Sequence, residues 1–152
     1  ETLNELKFPI ITIASVVGYA YVTNASGMST AMGMVLAKTG FLFPFFSPIL
    51  GWLGVFITGS DTSSNLLFGN MQQVTANSIG MDPVLAVSAN SSGGVTGKMI
   101  SPQSIAVACA AVGLAGKESE LFRFTIKHSI FLVILIGIMT FLQNGVLSWM
   151  IP

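Results

Sequence analysis

Two short polar stretches, Gly59-Ser60-Asp61-Thr62-Ser63-Ser64-Asn65 and Ser91-Ser92-Gly93-Gly94-Val95-Thr96-Gly97-Lys98, each place one ionisable side chain inside apolar sequence. A carboxylate such as Asp61 can take up and release a proton, and an ammonium such as Lys98 can seat an anion. Each stretch also precedes a helix start, at Thr62 to Asn65 and at Ser101 to Gln103, where free N–H groups and the positive end of the helix dipole favour negative charge. Ser63, Asn65 and Thr96 add hydroxyl and amide groups beside them. The pattern suits an anion held by Lys98, Ser101, Gln103 and backbone N–H groups, with Asp61 handling a proton. The plainer alternative makes Ser60, Asp61 and Ser101 helix caps, lets Gly93, Gly94 and Gly97 merely bend the chain, and sends Lys98 to an interface.

The elements that must position these residues follow from composition. Apolar residues make up 52% of the chain and charged residues 8%, with six acidic and six basic side chains, against about 25% charged in a soluble domain. The chain is therefore expected to be an all-α integral membrane protein, surrounded by a lipid bilayer. Its clearest crossing is 129–150, which contains the run from Ile130 to Leu142 and ends near Trp149, enough helix to cross about 30 Å of hydrocarbon. A first transmembrane helix is expected over 8–26, opened by Pro9, and a short interfacial helix over 28–39. Segment 41–77 reads as a re-entrant helical hairpin with its tip at 59–65, because the apolar arm is short and punctuated by Pro44, Pro48, Gly51 and Gly54. Asp82-Pro83 starts a discontinuous transmembrane helix over 83–115, with its break at 90–101. Segment 117–128 alternates charge and apolarity as an amphipathic connector in the headgroup region.

A broken membrane helix exposes backbone groups that only protein or a water-lined cavity can satisfy, and such breaks hold substrate in transporters. An isolated charge at that depth is costly, so Asp61 and Lys98 are expected to compensate one another until a substrate carboxylate claims Lys98 and a proton neutralises Asp61. Gln72, Gln73 and Asn70 lie along the return arm as weaker candidates. Lys117, Arg123 and Lys127 share one connector, which the positive-inside rule places in the cytoplasm; the C-terminus then lies outside. Four of the five flanking basic residues, counting Lys7 and Lys38, agree with this orientation.

Other chemistry is poorly served. Gly93-Gly-Val-Thr-Gly-Lys-Met99 fails as a phosphate loop, with Ser92 where glycine belongs and Met99 where a magnesium-binding hydroxyl belongs. No hydrolase, metal-binding or nucleic-acid signature is visible, so no cofactor, metal or nucleic-acid partner is expected and the chain does not read as an enzyme. Cys109, in an Ala-rich run, reads as a small packing residue, and His128 as interfacial. The acidic start, Glu1 to Glu5, lacks the basic region of a signal peptide, and the abrupt opening suggests a piece of something longer.

The stretches Gly51-Trp-Leu-Gly-Val-Phe-Ile-Thr-Gly-Ser-Asp-Thr-Ser-Ser-Asn65, Gly93-Gly-Val-Thr-Gly-Lys-Met-Ile-Ser-Pro-Gln-Ser104 and Gly116-Lys-Glu-Ser-Glu-Leu-Phe-Arg-Phe124 resemble the C-terminal part of bacterial L-lactate permeases, a family that includes glycolate permeases. The resemblance covers essentially the whole chain. It implies proton-coupled symport of lactate and related 2-hydroxymonocarboxylates across the bacterial inner membrane. It also implies a transporter built from two inverted repeats, each with a re-entrant hairpin and a broken helix, so that 1–152 is the C-terminal repeat and the remaining N-terminal part supplies the other. A sodium-coupled carboxylate or anion symporter, or a channel or non-transporting membrane module, are the alternatives.

Overall fold

The computed structural model describes residues 2–114 and 116–151, and of residues 2–9 the backbone alone. Those residues form seven α-helices and, among the described residues, no strand: α1 (Thr2–Ala25), α2 (Met28–Ala37), α3 (Phe43–Thr58), α4 (Asp61–Ile79), α5 (Pro83–Lys98), α6 (Pro102–Ala111) and α7 (Glu118–Gln143). Two helical segments, Gly40–Thr58 and Glu118–Gln143, are long and apolar enough to cross a membrane. The pair Ile10–Ala25 and Met28–Ala37, bent by 69° at the left-handed Gly27, makes a third if it counts as one span.

Local chemistry explains where these helices start and stop. Gly59 takes φ 68°, a conformation costly for residues with a Cβ, and Ser60 follows in an extended conformation whose Oγ accepts from the Ser63 N–H. The hairpin therefore turns on Gly59 and Ser60 alone, and 61–65, expected within the tip, already belong to α4. Asp82 caps α5, its carboxylate accepting from the N–H groups of Val84 at 2.7 Å and Leu85 at 3.0 Å. α1 begins at Thr2, ahead of the Pro9 start expected for it.

The larger correction concerns the second polar stretch. Residues 90–98 are helical, and the break between α5 and α6 is confined to 99–101. Proline explains the position: Pro102 lacks an N–H and crowds the residue before it out of the helical region, and Ser101 accordingly sits at φ −63°, ψ 137° and caps α6. Gly93 and Gly97 upstream do not unwind the helix because they face another backbone. A Cβ on Gly93 would overlap the Pro48 carbonyl, one on Gly97 the Trp52 carbonyl, and one on Gly51 the Asn90 carbonyl. α3 and α5 thus run side by side in backbone contact, the small-residue packing used where lipid removes the usual hydrophobic drive between helices.

α4 is clasped between two layers. On one side it meets α3 and α5. On the other it meets α2, where Gly33 lies against Val74 and the Thr75 hydroxyl donates to the Gly33 carbonyl at 3.1 Å, and α1, where Asn70 donates to Asn24 at 3.1 Å. α7 runs antiparallel across α3 and the helical turn Gly40–Leu42 before it, pairing Phe41 with Phe141, Phe45 with Gly137 and Phe56 with Phe122. Its hydroxyl Ser129 accepts from Trp52 Nε1 at 2.7 Å and donates to the Thr96 carbonyl at 2.6 Å, tying α3, α5 and α7 together. No boundary falls near residue 129: α7 is one continuous helix through the expected connector and the first part of the expected last span, and it ends at Gln143.

Candidate functional site

The turn of the α3–α4 hairpin and the α5–α6 break lie together. Lys98, the last residue of α5, donates through Nζ to the carbonyl of Gly59. That carbonyl closes α3, where the helix dipole is negative and backbone acceptors lack partners, so an ammonium is well placed. Gln103, in the first turn of α6, packs its side chain over Gly59, whose Cα has no substituent to oppose it. Both Lys98 and Gln103 are solvent-exposed in this chain. Ser101 is fully buried between them, its hydroxyl donating toward the Lys98 carbonyl at 3.2 Å and accepting from the Ser104 N–H.

Asp61 stands one turn away, at the first position of α4, half-buried. Its Oδ2 accepts from Ser91 Oγ at 2.8 Å and from Asn65 Nδ2 at 3.0 Å. Its Oδ1 is buried and has no hydrogen-bond partner. Gly94 makes the room for it, since a Cβ there would overlap that oxygen. Asp61 and Lys98 form no ion pair; each is held by different groups, and the pairing expected between them is not made. The physical reason is geometric. Lys98 is at the end of α5 and reaches the hairpin turn, whereas Asp61 faces Ser91 and Gly94, one to two turns back along the same helix.

From Asp61 a chain of buried amides runs inward. Asn90 Nδ2 donates to Asn65 Oδ1 at 2.7 Å, Gln72 Nε2 donates to Asn90 Oδ1 at 3.1 Å, and Ser47 Oγ donates to Gln72 Oε1 at 2.8 Å. Asn90, Gln72 and Ser47 are each 0% exposed. Of these the sequence pointed only to Gln72, as a weaker candidate. Ser47 was missed, and Asn90 and Ser91, within the expected break, were not singled out, though the signal existed: polar residues on a helix that also carries small residues at fourfold spacing must find partners across a close helix contact.

The remaining candidates divide. Ser63 is half-buried on the first turn of α4, near Asp61 in sequence, with its N–H satisfied by Ser60. Thr96 is not brought to the site: its hydroxyl donates to its own helix at Gly93 O, and its backbone faces Ser129 of α7. His128 is exposed, its ring tilted 42° against that of Phe124, and Cys109 is fully buried. Among the described residues no group of three or more His, Cys, Asp or Glu side chains converges. A cleft of about 360 Å³ between α5 and α7, lined by Ser88, Ser92, Thr140 and Gln143 among apolar residues, holds neither Asp61 nor Lys98.

These features define an all-α membrane protein organised around a tight helical hairpin and an interrupted helix, with polar side chains gathered where the two meet. The family model described as L-lactate permease matches residues 1–147, and the chain belongs to that family. It is 80% identical over 152 residues to the L-lactate permease of Bacillus subtilis, covering all of this chain and 27% of that protein. It is 63% identical over 151 residues to a glycolate permease of Escherichia coli, covering 99% of this chain and 27% of that protein. The L-lactate permease of Halalkalibacterium halodurans is 44% identical over 144 residues, or 95% of this chain and 28% of that protein. The chain thus spans little more than a quarter of the length of these relatives. No solved structure matches it.

Proposed function

We propose that this chain is the C-terminal repeat of a bacterial inner-membrane permease that carries L-lactate and related 2-hydroxymonocarboxylates, glycolate among them, together with a proton. The names of the relatives support the substrate class. The observation that carries the coupling is the asymmetry of Asp61: one carboxylate oxygen accepts two hydrogen bonds and the other is buried with none. A buried acceptor without a donor is costly, and protonation of the carboxylate removes the charge that makes it so.

The substrate carboxylate then binds Lys98 and Gln103, displacing the Gly59 carbonyl as the partner of Nζ, with Ser63 or Asn65 for its hydroxyl. Ser101 acts by holding the start of α6, and Thr96 by holding α5. The hairpin enters from the outside and the C-terminus lies outside, with Lys117, Arg123 and Lys127 cytoplasmic. The N-terminal remainder of the permease supplies the facing half of the site.

The test is uptake of labelled lactate by the full-length permease in proteoliposomes, with pH and sodium gradients set independently. The wild type accumulates lactate on a pH gradient without sodium. Asp61→Asn keeps lactate counterflow and loses accumulation; an Asp61→Asn permease that still concentrates lactate on a pH gradient overturns the coupling role. Dependence on sodium instead of pH would put a sodium ion at Oδ1, the second reading that the orphaned oxygen allows. Absence of counterflow in the wild type would leave a channel or a non-transporting module.

A further inference from the structure

We propose that Ser47, Gln72 and Asn90 are positioning residues that convey the protonation state of Asp61 to the α3–α5 contact as the sense of a hydrogen-bond chain. The proposal rests on the proton-coupling role of Asp61 above. Three helices contribute: α3 gives Ser47, α4 gives Asp61, Asn65 and Gln72, and α5 gives Asn90. The links from Ser47 through Gln72, Asn90 and Asn65 to Asp61 measure 2.8, 3.1, 2.7 and 3.0 Å.

A side-chain amide has a donor end and an acceptor end, so a chain of amides can point one way or the other but not both. An ionised carboxylate only accepts, which turns the Asn65 NH₂ toward Asp61. Its carbonyl must then accept from Asn90, the Asn90 carbonyl from Gln72, and the Gln72 carbonyl from the Ser47 hydroxyl. Every link observed has this sense. The charge at the outer end and the Ser47 carbonyl at the inner end, which accepts from Gln72 Nε2 at 2.8 Å, ask for the same sense in every amide between them. The chain also polarises in one direction, each donor strengthened by the next.

A proton on Asp61 removes the demand at the outer end, and the Ser47 hydroxyl is equipped for the opposite sense. The Ser47 hydroxyl has a second acceptor already in place, the Ala86 carbonyl of α5 at 3.1 Å. When Asp61 is protonated on Oδ2, the oxygen that faces Asn65, and donates to Asn65 Oδ1, the Asn65 and Asn90 amides turn over, Gln72 donates to Ser47 Oγ, and the Ser47 proton passes wholly to Ala86 O. One proton is added, at Asp61, and none travels along the amides. The turnover replaces Gln72 Nε2 by Oε1 against the Ser47 carbonyl, where the bond measured 2.8 Å; two acceptors repel, so the change reaches the backbone of α3 where it lies against α5. No other charged side chain sits on the three helices that face Asp61 except Lys98, whose Nζ is held at Gly59. From α6, Gln103 is uncharged.

Infrared difference spectroscopy of the full-length permease in lipid, stepped in pH, tests this with Asp61→Asn, Asn90→Leu and the double variant Asn90→Leu/Gln72→Met, in which both amides are replaced by apolar groups of similar volume. The wild type is expected to show a carboxyl C=O band absent from Asp61→Asn, accompanied by a change in side-chain amide C=O bands. In Asn90→Leu and in the double variant the carboxyl band persists and the amide change is lost. In proteoliposomes the same variants keep counterflow within about twofold while accumulation driven by a pH gradient falls about tenfold, the equivalent of one hydrogen bond. A carboxyl band without any amide change in the wild type overturns the relay and leaves Asp61 as the proton site. Absence of the carboxyl band overturns the reading on which the relay rests. Variants whose gradient-driven accumulation falls only in step with counterflow would show Asn90 and Gln72 to be structural alone.

Discussion

Replacing Gly93 by alanine tests the contact on which the site geometry depends. In a helix this substitution ordinarily stabilises by up to about 1 kcal/mol, because alanine has less backbone freedom to lose. Here the new Cβ would meet the carbonyl, the C and the Cα of Pro48, all of them backbone atoms and all closer than the 3.0 Å that real Cβ atoms respect. Backbone cannot rotate aside as a side chain can, so α3 and α5 must part. Overpacking of this kind costs about 1–3 kcal/mol, and the absence of a flexible neighbour puts Gly93→Ala toward the upper end. After the propensity gain the net loss is about 1–2 kcal/mol. Gly69→Ala is the control, since nothing lies within 4 Å of its Cβ position and only the propensity gain should remain. Gly54→Ala falls between the two, because its Cβ would meet side-chain atoms of Ser64 and Phe68 that can yield. Unfolding of the detergent-solubilised or bilayer-held permease should rank the three as Gly69→Ala, Gly54→Ala, Gly93→Ala in decreasing stability. Gly93→Ala as stable as Gly69→Ala would mean that α3 and α5 are not in backbone contact.

Other expectations follow from single interactions. Lys98→Ala should weaken lactate binding about 10–100-fold, the range for a hydrogen bond to a charged group, and unchanged binding in Lys98→Ala together with Asn65→Ala would remove both from the substrate site. Ser129→Ala leaves Trp52 Nε1 and the Thr96 carbonyl without their shared partner and should cost about 1–3 kcal/mol in thermal unfolding, with a change in the Trp52 fluorescence. Asp82→Ala removes the cap on α5 and should cost about 1 kcal/mol, most of it restored in Asp82→Asn.

Much of the element order is legible in residue type because the signals are local. Gly59 followed by Ser60 specifies a left-handed residue and then a cap, Asp82-Pro83 specifies a helix start, and Ser101-Pro102 stops one helix and begins another. The break was expected too early because a run of Ser and Gly destabilises a helix in isolation. Whether it does so in place depends on what lies against it. Gly93 and Gly97 admit the backbone of α3 and Gly94 admits the Asp61 carboxylate, so residues that look like breakers act as spacers inside a continuous helix.

The solvent was determined by the sequence alone, since few charges in mostly apolar sequence leave a lipid environment as the surroundings in which these helices are stable. So was the location of the polar chemistry, because Asp61 and Lys98 stand in otherwise apolar stretches whatever the fold. Tertiary structure decided which groups they touch. Asp61 and Lys98 are 37 residues apart in number, and opposite charge suggested that they would pair. Yet the length of α5 puts Lys98 at the hairpin turn and Ser91 beside Asp61. Pairing in a packed helical protein depends on register between helices, and here that register is set by the contacts of Gly51, Gly93 and Gly97 between α3 and α5 rather than by the charges themselves.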